Sequence, residues 1–178
     1  NEKTYAAYAQ SDFNYELGGR TLRGQFGVRY VNVDRELDFI SDSATASGER
    51  FLPSLILLYD ITPDLRVRAS YGETVRYPEF VDLNPNITYV EDVTDIGYGT
   101  ATGGNPDLEP TESKNYDVTL EYYFGDGDAS LVYATAFKRE IEGLVVPFRR
   151  RITFEDYPYI LSAPDNASNG ELEGYEFG

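Results

Sequence analysis

The stretch KNYDVTLEYYFGDGDASLVYATAFKRE, Lys114 to Glu140, decides the fold. Tyr116, Val118, Leu120, Tyr122 and Phe124 share one parity, and Asn115, Asp117, Thr119 and Glu121 share the other. A period of two belongs to a β-strand whose two faces meet different surroundings. Gly125-Asp-Gly-Asp128 breaks the pattern as a turn does, and a second alternating run follows.

Working outward, similar runs occupy 3–16, 21–36, 50–61, 65–76, 114–124 and 129–140, and a seventh begins near 170. Tyr, Phe, Val, Leu and Thr dominate them, which suits strands. The connections alternate in length. Gly18-Gly19, Thr62-Pro63-Asp64 and 125–128 are short, whereas 37–49, 77–113 and 141–169 are long. Short turns at one end and long loops at the other are the habit of a transmembrane barrel. The expected fold is therefore all-β: an antiparallel transmembrane β-barrel, with residues 1–178 as one part of a single barrel domain.

The faces support a membrane. One set reads Tyr5, Ala7, Ala9, Ser11, Phe13, Tyr15; Leu22, Gly24, Phe26, Val28, Tyr30; Leu55, Leu57, Tyr59, Ile61; and Leu65, Val67, Ala69, Tyr71. Tyr116 to Phe124 and Leu131, Tyr133, Thr135, Phe137 complete it, and none of these positions carries a charge. The opposite set holds Gln10, Asp12, Arg23, Gln25, Arg66, Arg68, Asp117, Glu121 and Lys138. A charge on the lipid side near the midplane costs about 2–4 kcal/mol, whereas a lumen accepts it. Arg66 and Arg68 are accordingly expected inside, near Asp117 or Glu121. The inward set of 50–61, with Leu52, Ile56 and Leu58, is too apolar for a water-filled lumen. Either a bulge shifts its register or it packs on an internal partner; the partner is the expectation.

Composition removes other functions. The 178 residues contain no Cys and no His, so thiol nucleophiles, disulfides and the usual zinc or haem ligands are absent. A formal charge of −16 is unsuited to nucleic acid. No apolar run reaches the ~18 residues of a spanning helix. No catalytic constellation, metal site or cofactor is expected, and hence no enzyme. Asp126-Gly-Asp128 and 91–95 lack the calcium-loop spacing and read as turn and solvated loop. The sequons at Asn86 and Asn166 are short motifs that by themselves imply nothing about function.

Four blocks, TVRYPEFVDLNP (74–85), GGNPDLEPTESKNYDVTLEYYF (103–124), ATAFKREIEGLV (134–145) and NGELEGYEFG (169–178), resemble in order and spacing the barrel of TonB-dependent outer-membrane receptors. Their wording is closest to the branch common in Caulobacter- and Xanthomonas-like bacteria. The resemblance implies a barrel of twenty-two strands in a Gram-negative outer membrane, contacting lipid and lipopolysaccharide. It also implies energy-coupled uptake of a scarce nutrient, an oligosaccharide or a ferric siderophore, bound at extracellular loops. A plug, absent from this chain, would engage the TonB-ExbB-ExbD complex. Seven strands cannot close a single-chain barrel, so the chain is expected to be an internal fragment. The alternatives are a passive porin-like barrel and a secreted glycan-binding β-sandwich.

By the same resemblance, Arg76, Pro78 and Phe80 are loop anchors at the rim, as are Gly104, Asn105, Pro106 and Pro110. Arg149-Arg150-Arg151 is a basic cluster in an acidic chain, followed by Phe154, Tyr157 and Tyr159. A solvated loop balanced by nearby acids is its plain reading. The functional reading makes Arg149, Arg151, Tyr157 and Tyr159 ligand contacts: guanidinium grips anions, including lipopolysaccharide phosphate, and Tyr offers a stacking face.

Overall fold

The computed structural model describes residues 1–38, 43–125, 130–167 and 169–178. Seven strands form one antiparallel sheet in chain order: β1 (Glu2–Leu17), β2 (Arg20–Asp38), β3 (Ser43–Asp60), β4 (Leu65–Arg76), β7 (Thr111–Phe124), β8 (Ser130–Glu142) and β11 (Gly170–Phe177). Four shorter strands from the two longest connections make a second sheet, ordered β5-β6-β10-β9: β5 (Thr88–Val90), β6 (Gly99–Thr102), β9 (Val145–Phe154) and β10 (Tyr157–Asn166).

Sequential antiparallel pairing places the short connections at one end and the long ones at the other, as the connection lengths predict. Gly18 and Gly19 both take positive φ, 59° and 72°, the conformation of a two-residue hairpin whose twist matches its strands. At the next short turn the Thr62 hydroxyl accepts the amide of Leu65 at 2.9 Å. The 126–128 reading lies outside the described residues. At the far end β2 and β3 pair on to Asp38 and Ser43, so most of the expected 37–49 loop is strand.

The seven-stranded sheet has two unlike faces. Along one ladder, Phe13, Gly24, Leu57, Ala69, Val118, Ala136 and Tyr175 are successive cross-strand neighbours. This face is apolar and open: Phe26 is 54% and Val118 51% exposed. The other face is polar and internally paired. Arg23 and Arg66 both reach Asp60, at 3.0 and 2.7 Å. Arg68 Nε meets Glu121 at 3.0 Å, and the Tyr123 hydroxyl donates to the same carboxylate at 2.9 Å. The two arginines thus sit on the polar face, as their parity predicts. Glu121, only 7% exposed, has its charge balanced by these partners, without which burial would be costly.

One expectation needs correcting, and one alternative falls away. In β8, Tyr133, Thr135 and Phe137 pair with Glu121, Thr119 and Asp117, so they lie on the polar face, and Lys138 pairs with Tyr116 on the apolar one. Both parities of this strand are rich in apolar residues, so alternation alone cannot fix its phase; the ladder with β7 does. Lys138 is held there by Glu140 and Glu171, each at 3.0 Å. In β3 the pairing with β2 runs unbroken from Leu22↔Tyr59 to Asp38↔Ser43, which removes the bulge and leaves Leu52, Ile56 and Leu58 on the inner face.

With β8 rephased, the apolar belt has a sharp upper edge. Its last members are Tyr5, Tyr30, Phe51, Tyr71, Tyr116, Ala136 and Tyr175 on the seven strands in order. The next residues on the same face are Lys3, Asn32, Glu49, Glu73, Lys114, Lys138 and Glu173. Aromatic residues with charge immediately beyond them mark a membrane interface. The edge is slanted. It stands eight residues beyond Phe13 on β1 but falls on Tyr175 itself on β11, six strand steps away. At about 3.4 Å per residue and about 4.8 Å per strand this is a tilt of about 43°, which agrees with the ~35–45° of outer-membrane barrels.

Among the described residues, the buried apolar ones, Val31, Val33, Leu83, Leu108, Ala101, Tyr159 and Leu161, all belong to the outer end or its loops. A soluble sandwich would instead bury one face of the large sheet. The core that exists here organises the rim.

Candidate functional site at the outer rim

The rim is held by the motif GGNPDLEP. Gly104 lies so close to the 82–84 turn that a Cβ would fall 2.4 Å from the Asp82 carbonyl oxygen, which only glycine avoids. Its amide donates to the Asn84 carbonyl at 2.9 Å, and that of Asn105 to Asp82 at 2.6 Å. The Asn105 side chain accepts the amide of Asp107 at 3.0 Å and lies 3.5 Å from the Asp165 carboxylate. Pro106 lies within this turn. Leu108 packs on Leu83 and Val145, tying the motif to β9. Pro110 delivers the chain to β7, where its carbonyl lies against Gly143.

The residues of the 74–85 block approach from the other side. The Pro78 carbonyl accepts from Arg35 at 2.6 Å, and the Arg35 guanidinium lies 5.2 Å from the Phe80 ring and 5.3 Å from that of Tyr77. Arg35 also meets Glu2 at 2.8 Å. Among the described residues, Arg76 makes only an exposed pair, with Glu79 at 3.5 Å. Between this group and the tips of β2 and β3 lies a cavity of ≈ 310 Å³ lined by Val33, Arg35, Arg50, Tyr77, Leu83 and Leu108.

Asn166 is the residue that sequence reasoning passed over. Its amide donates to the carbonyls of Gly143 and Glu109, at 2.8 and 3.0 Å, and its oxygen accepts the Glu109 amide at 2.8 Å. One side chain thereby stitches the β8–β9 corner to the strap entering β7. The only sequence signal there was a sequon, which concerns chemistry rather than geometry. The sequon's Ser168 lies outside the described residues.

The two long loops then share a sheet. β10 pairs with β9 in antiparallel fashion and with β6 in parallel, and β6 carries β5. One face bears Tyr157, Tyr159, Leu161, Ala101, Tyr89, Ile152 and Phe154. Tyr89 stacks on Phe154 at 4.2 Å and meets Tyr159 edge-on at 5.0 Å. Burial raises the Tyr157 hydroxyl above its ordinary value, with the charges of Asp92, Glu91 and Asp95 acting the same way, so it remains a protonated donor. The Glu91–Tyr98 connection is folded by Asp92, whose carboxylate accepts Thr94 N at 2.7 Å and Gly97 N at 2.8 Å. Those bonds, the Thr94 amide first, hold the Asp92 carboxyl below its usual range.

The expected contacts are therefore split. Arg149 pairs with Ser162 and Arg151 with Ile160, which puts both arginines on the face opposite Tyr157 and Tyr159. Tyr159, expected as a stacking platform, is only 5% exposed and fills the small core instead. Tyr157 is half-buried, while Arg149, Arg150 and Arg151 are exposed. Arg150 shares the aromatic face.

A tilted antiparallel wall with an aromatic-edged apolar belt, surmounted by loop strands, defines an outer-membrane-type barrel segment. The β-barrel model of the TonB-dependent receptor family matches residues 1–178, and the chain belongs to that family. A vitamin B12 transporter, BtuB, of Photobacterium profundum is 30% identical over 136 residues, 76% of this chain and 19% of its own. Among solved structures, the ferric enterobactin receptor PfeA of Pseudomonas aeruginosa superposes with TM-score 0.62 at 15% identity, covering 99% of this chain and 33% of that one. The Serratia marcescens hemophore receptor HasR, in complex with its hemophore and heme, gives 0.62 at 16%, covering 98% and 31%. The chain thus spans about a fifth to a third of these relatives and constitutes part of such a barrel.

Proposed function

We propose that this segment belongs to an outer-membrane receptor of a Gram-negative bacterium that takes up a scarce nutrient with energy supplied from the inner membrane. The ligand is captured at the outer rim, and the TonB-ExbB-ExbD complex acts through a plug inside the barrel. The observation that carries the reading is the second sheet. Two long loops are locked together into a rigid, exposed surface directly above the membrane belt, and a rigid scaffold presenting loops is how receptors bind. Arg149, Arg151 and Tyr157 are its candidate ligand contacts, with Tyr159 supporting Tyr157 from beneath. Pro78, Phe80, Gly104, Asn105, Pro106 and Pro110 anchor the rim, and Arg76, in its exposed pair with Glu79, stands beside them. The apolar inner strip of β3 fits a packed partner inside the barrel rather than open water.

The relatives' names cover vitamin B12, ferric enterobactin and heme, and an oligosaccharide remains the alternative cargo. Uptake by cells with and without the full-length receptor tests the function, using labelled cobalamin, a ferric siderophore and oligosaccharides, with and without a protonophore. Uptake of one class that is lost on deletion and on collapse of the proton gradient is expected. Receptor-dependent uptake that ignores the protonophore would instead identify a passive pore.

A further inference from the structure

The split of the rim residues exposes a row that neither loop contains alone. Reading across the second sheet, Arg149 pairs with Ser162, Ser162 with Thr102, and Thr102 with Thr88. Paired residues share a face, so one guanidinium and three hydroxyls line up across four strands, spaced at about 4.8 Å. The neighbouring row is Arg151, Ile160, Thr100 and Val90. It places a second guanidinium beside the first and a more apolar strip beside the hydroxyls. Arg149, Arg151, Thr88, Thr100 and Thr102 are exposed, and Val90 is 58% exposed. The aromatic face buries Tyr159 and Leu161, so the two faces have different work.

The arginines have no ion pair among the described residues, although the chain carries a net charge of −16. Arg23, Arg35, Arg50, Arg66, Arg68 and Arg76 are all paired with carboxylates. Guanidinium groups left free beside a bank of hydroxyls have their forked donors available for an anion from outside. Charged side chains on an edge strand also deter unwanted strand pairing. That role would explain arginines on β9 but not the hydroxyls aligned with them on β10, β6 and β5.

We propose that the Arg149–Ser162–Thr102–Thr88 row, with Arg151 beside it, is a binding site for a hydroxylated anion of the sugar-acid or sugar-phosphate type. The acid group sits between Arg149 and Arg151. The ligand's hydroxyls exchange hydrogen bonds with Ser162, Thr102 and Thr88, and its less polar ring edge lies over Ile160 and Val90. An exposed row across four strands suits an extended chain lying across them. The same chemistry occurs in a free acidic oligosaccharide and in the acidic sugars and phosphates of lipopolysaccharide.

The inference rests on the outer-rim reading and is separable from it by binding to the purified full-length receptor in detergent. The probes are trigalacturonic acid, neutral maltotriose and lipopolysaccharide. An acidic probe should bind at least about tenfold tighter than maltotriose, and R149Q/R151Q should weaken it about tenfold or more. T88V/T102V, which keeps the charges, should weaken it several-fold, whereas R150Q on the opposite face should change it less than about twofold. Preference for the trimer assigns the site to free ligand, and preference for lipopolysaccharide assigns it to the surrounding leaflet; both support the site. Equal binding of maltotriose, no binding of either acidic probe, or unchanged binding by R149Q/R151Q overturns it, as does an equal loss in R150Q. Protonophore-sensitive uptake of a neutral cargo, together with trimer and lipopolysaccharide binding that R149Q/R151Q leaves unchanged, would remove this inference and leave the transport reading standing. Tight binding of the acidic trimer with no energised uptake would do the reverse.

Discussion

At the scale of single residues, the rim depends on a few backbone-directed contacts. Asn166 makes three hydrogen bonds to the backbone of Glu109 and Gly143. Asn166→Ala leaves those groups to find water or go unpaired, a cost of about 1–3 kcal/mol where they are shielded. The expected outcome is faster amide hydrogen exchange in β9 and β10 with no change in the barrel strands; unchanged exchange would show that the latch is redundant. Gly104→Ala should loosen the same region, because its Cβ meets backbone oxygen, whereas Gly72→Ala, with open space around it, should not. Asp92 supplies a pH dependence. Its folded carboxyl lies below the ordinary 3.8, so the order it confers is present above that value and is lost as pH falls through the depressed one. Protection of the Thr94 and Gly97 amides relative to intrinsic exchange should therefore persist down to pH about 4 and fall only in stronger acid. Protection already lost near neutrality would exclude the carboxylate as the organiser.

At the scale of elements, legibility followed length and contrast. β7 could be read from Tyr116 to Phe124 because every second residue changes character. β8 gave its existence but not its phase, since Tyr133 and Phe137 on one side compete with Val132, Ala134 and Ala136 on the other. The second sheet was hidden for three separate reasons. β5 and β6 have three and four residues, too few to show a period. Arg149-Arg150-Arg151 puts the same charge on both faces of β9. Pro147, Pro158 and Pro164 argue locally against strands, although edge and hairpin positions accept them. The GGNPDLEP block was legible as a rim structure only through its resemblance, because its contacts are to backbone atoms far away in sequence. The corrected phase of β8 makes a direct prediction. Ala136→Arg places a charge on the belt and should cost about 2–4 kcal/mol if near the midplane, falling towards the interface. Thr135→Arg, on the polar face, should fold and insert nearly normally. Measuring assembly by heat-modifiable mobility separates the two, and equal tolerance would reverse the assignment.

At the scale of the whole molecule, the seven strands and the loop sheet follow from one solvent geometry. Lipid selects the apolar parity, an enclosed polar space accepts Arg23, Arg66, Arg68 and Glu121, and water above the aromatic edge releases the loops to build a small core. The slant of that edge, from Tyr5 on β1 to Tyr175 on β11, shows that the tilt of the strands is written in their chemistry as well as in their pairing. The most direct test uses spin labels at single cysteines in the full-length receptor, cysteine-free elsewhere and reconstituted in lipid. Labels at 116, 118, 120, 134 and 136 should collide with oxygen dissolved in the bilayer, and labels at 117, 119, 121, 135 and 137 should not. Labels at 114, 138 and 173 should lie at or above the headgroups although they share the belt's parity. Oxygen accessibility that fails to alternate along β7 and β8, or that places 135 and 137 in lipid, would contradict the account.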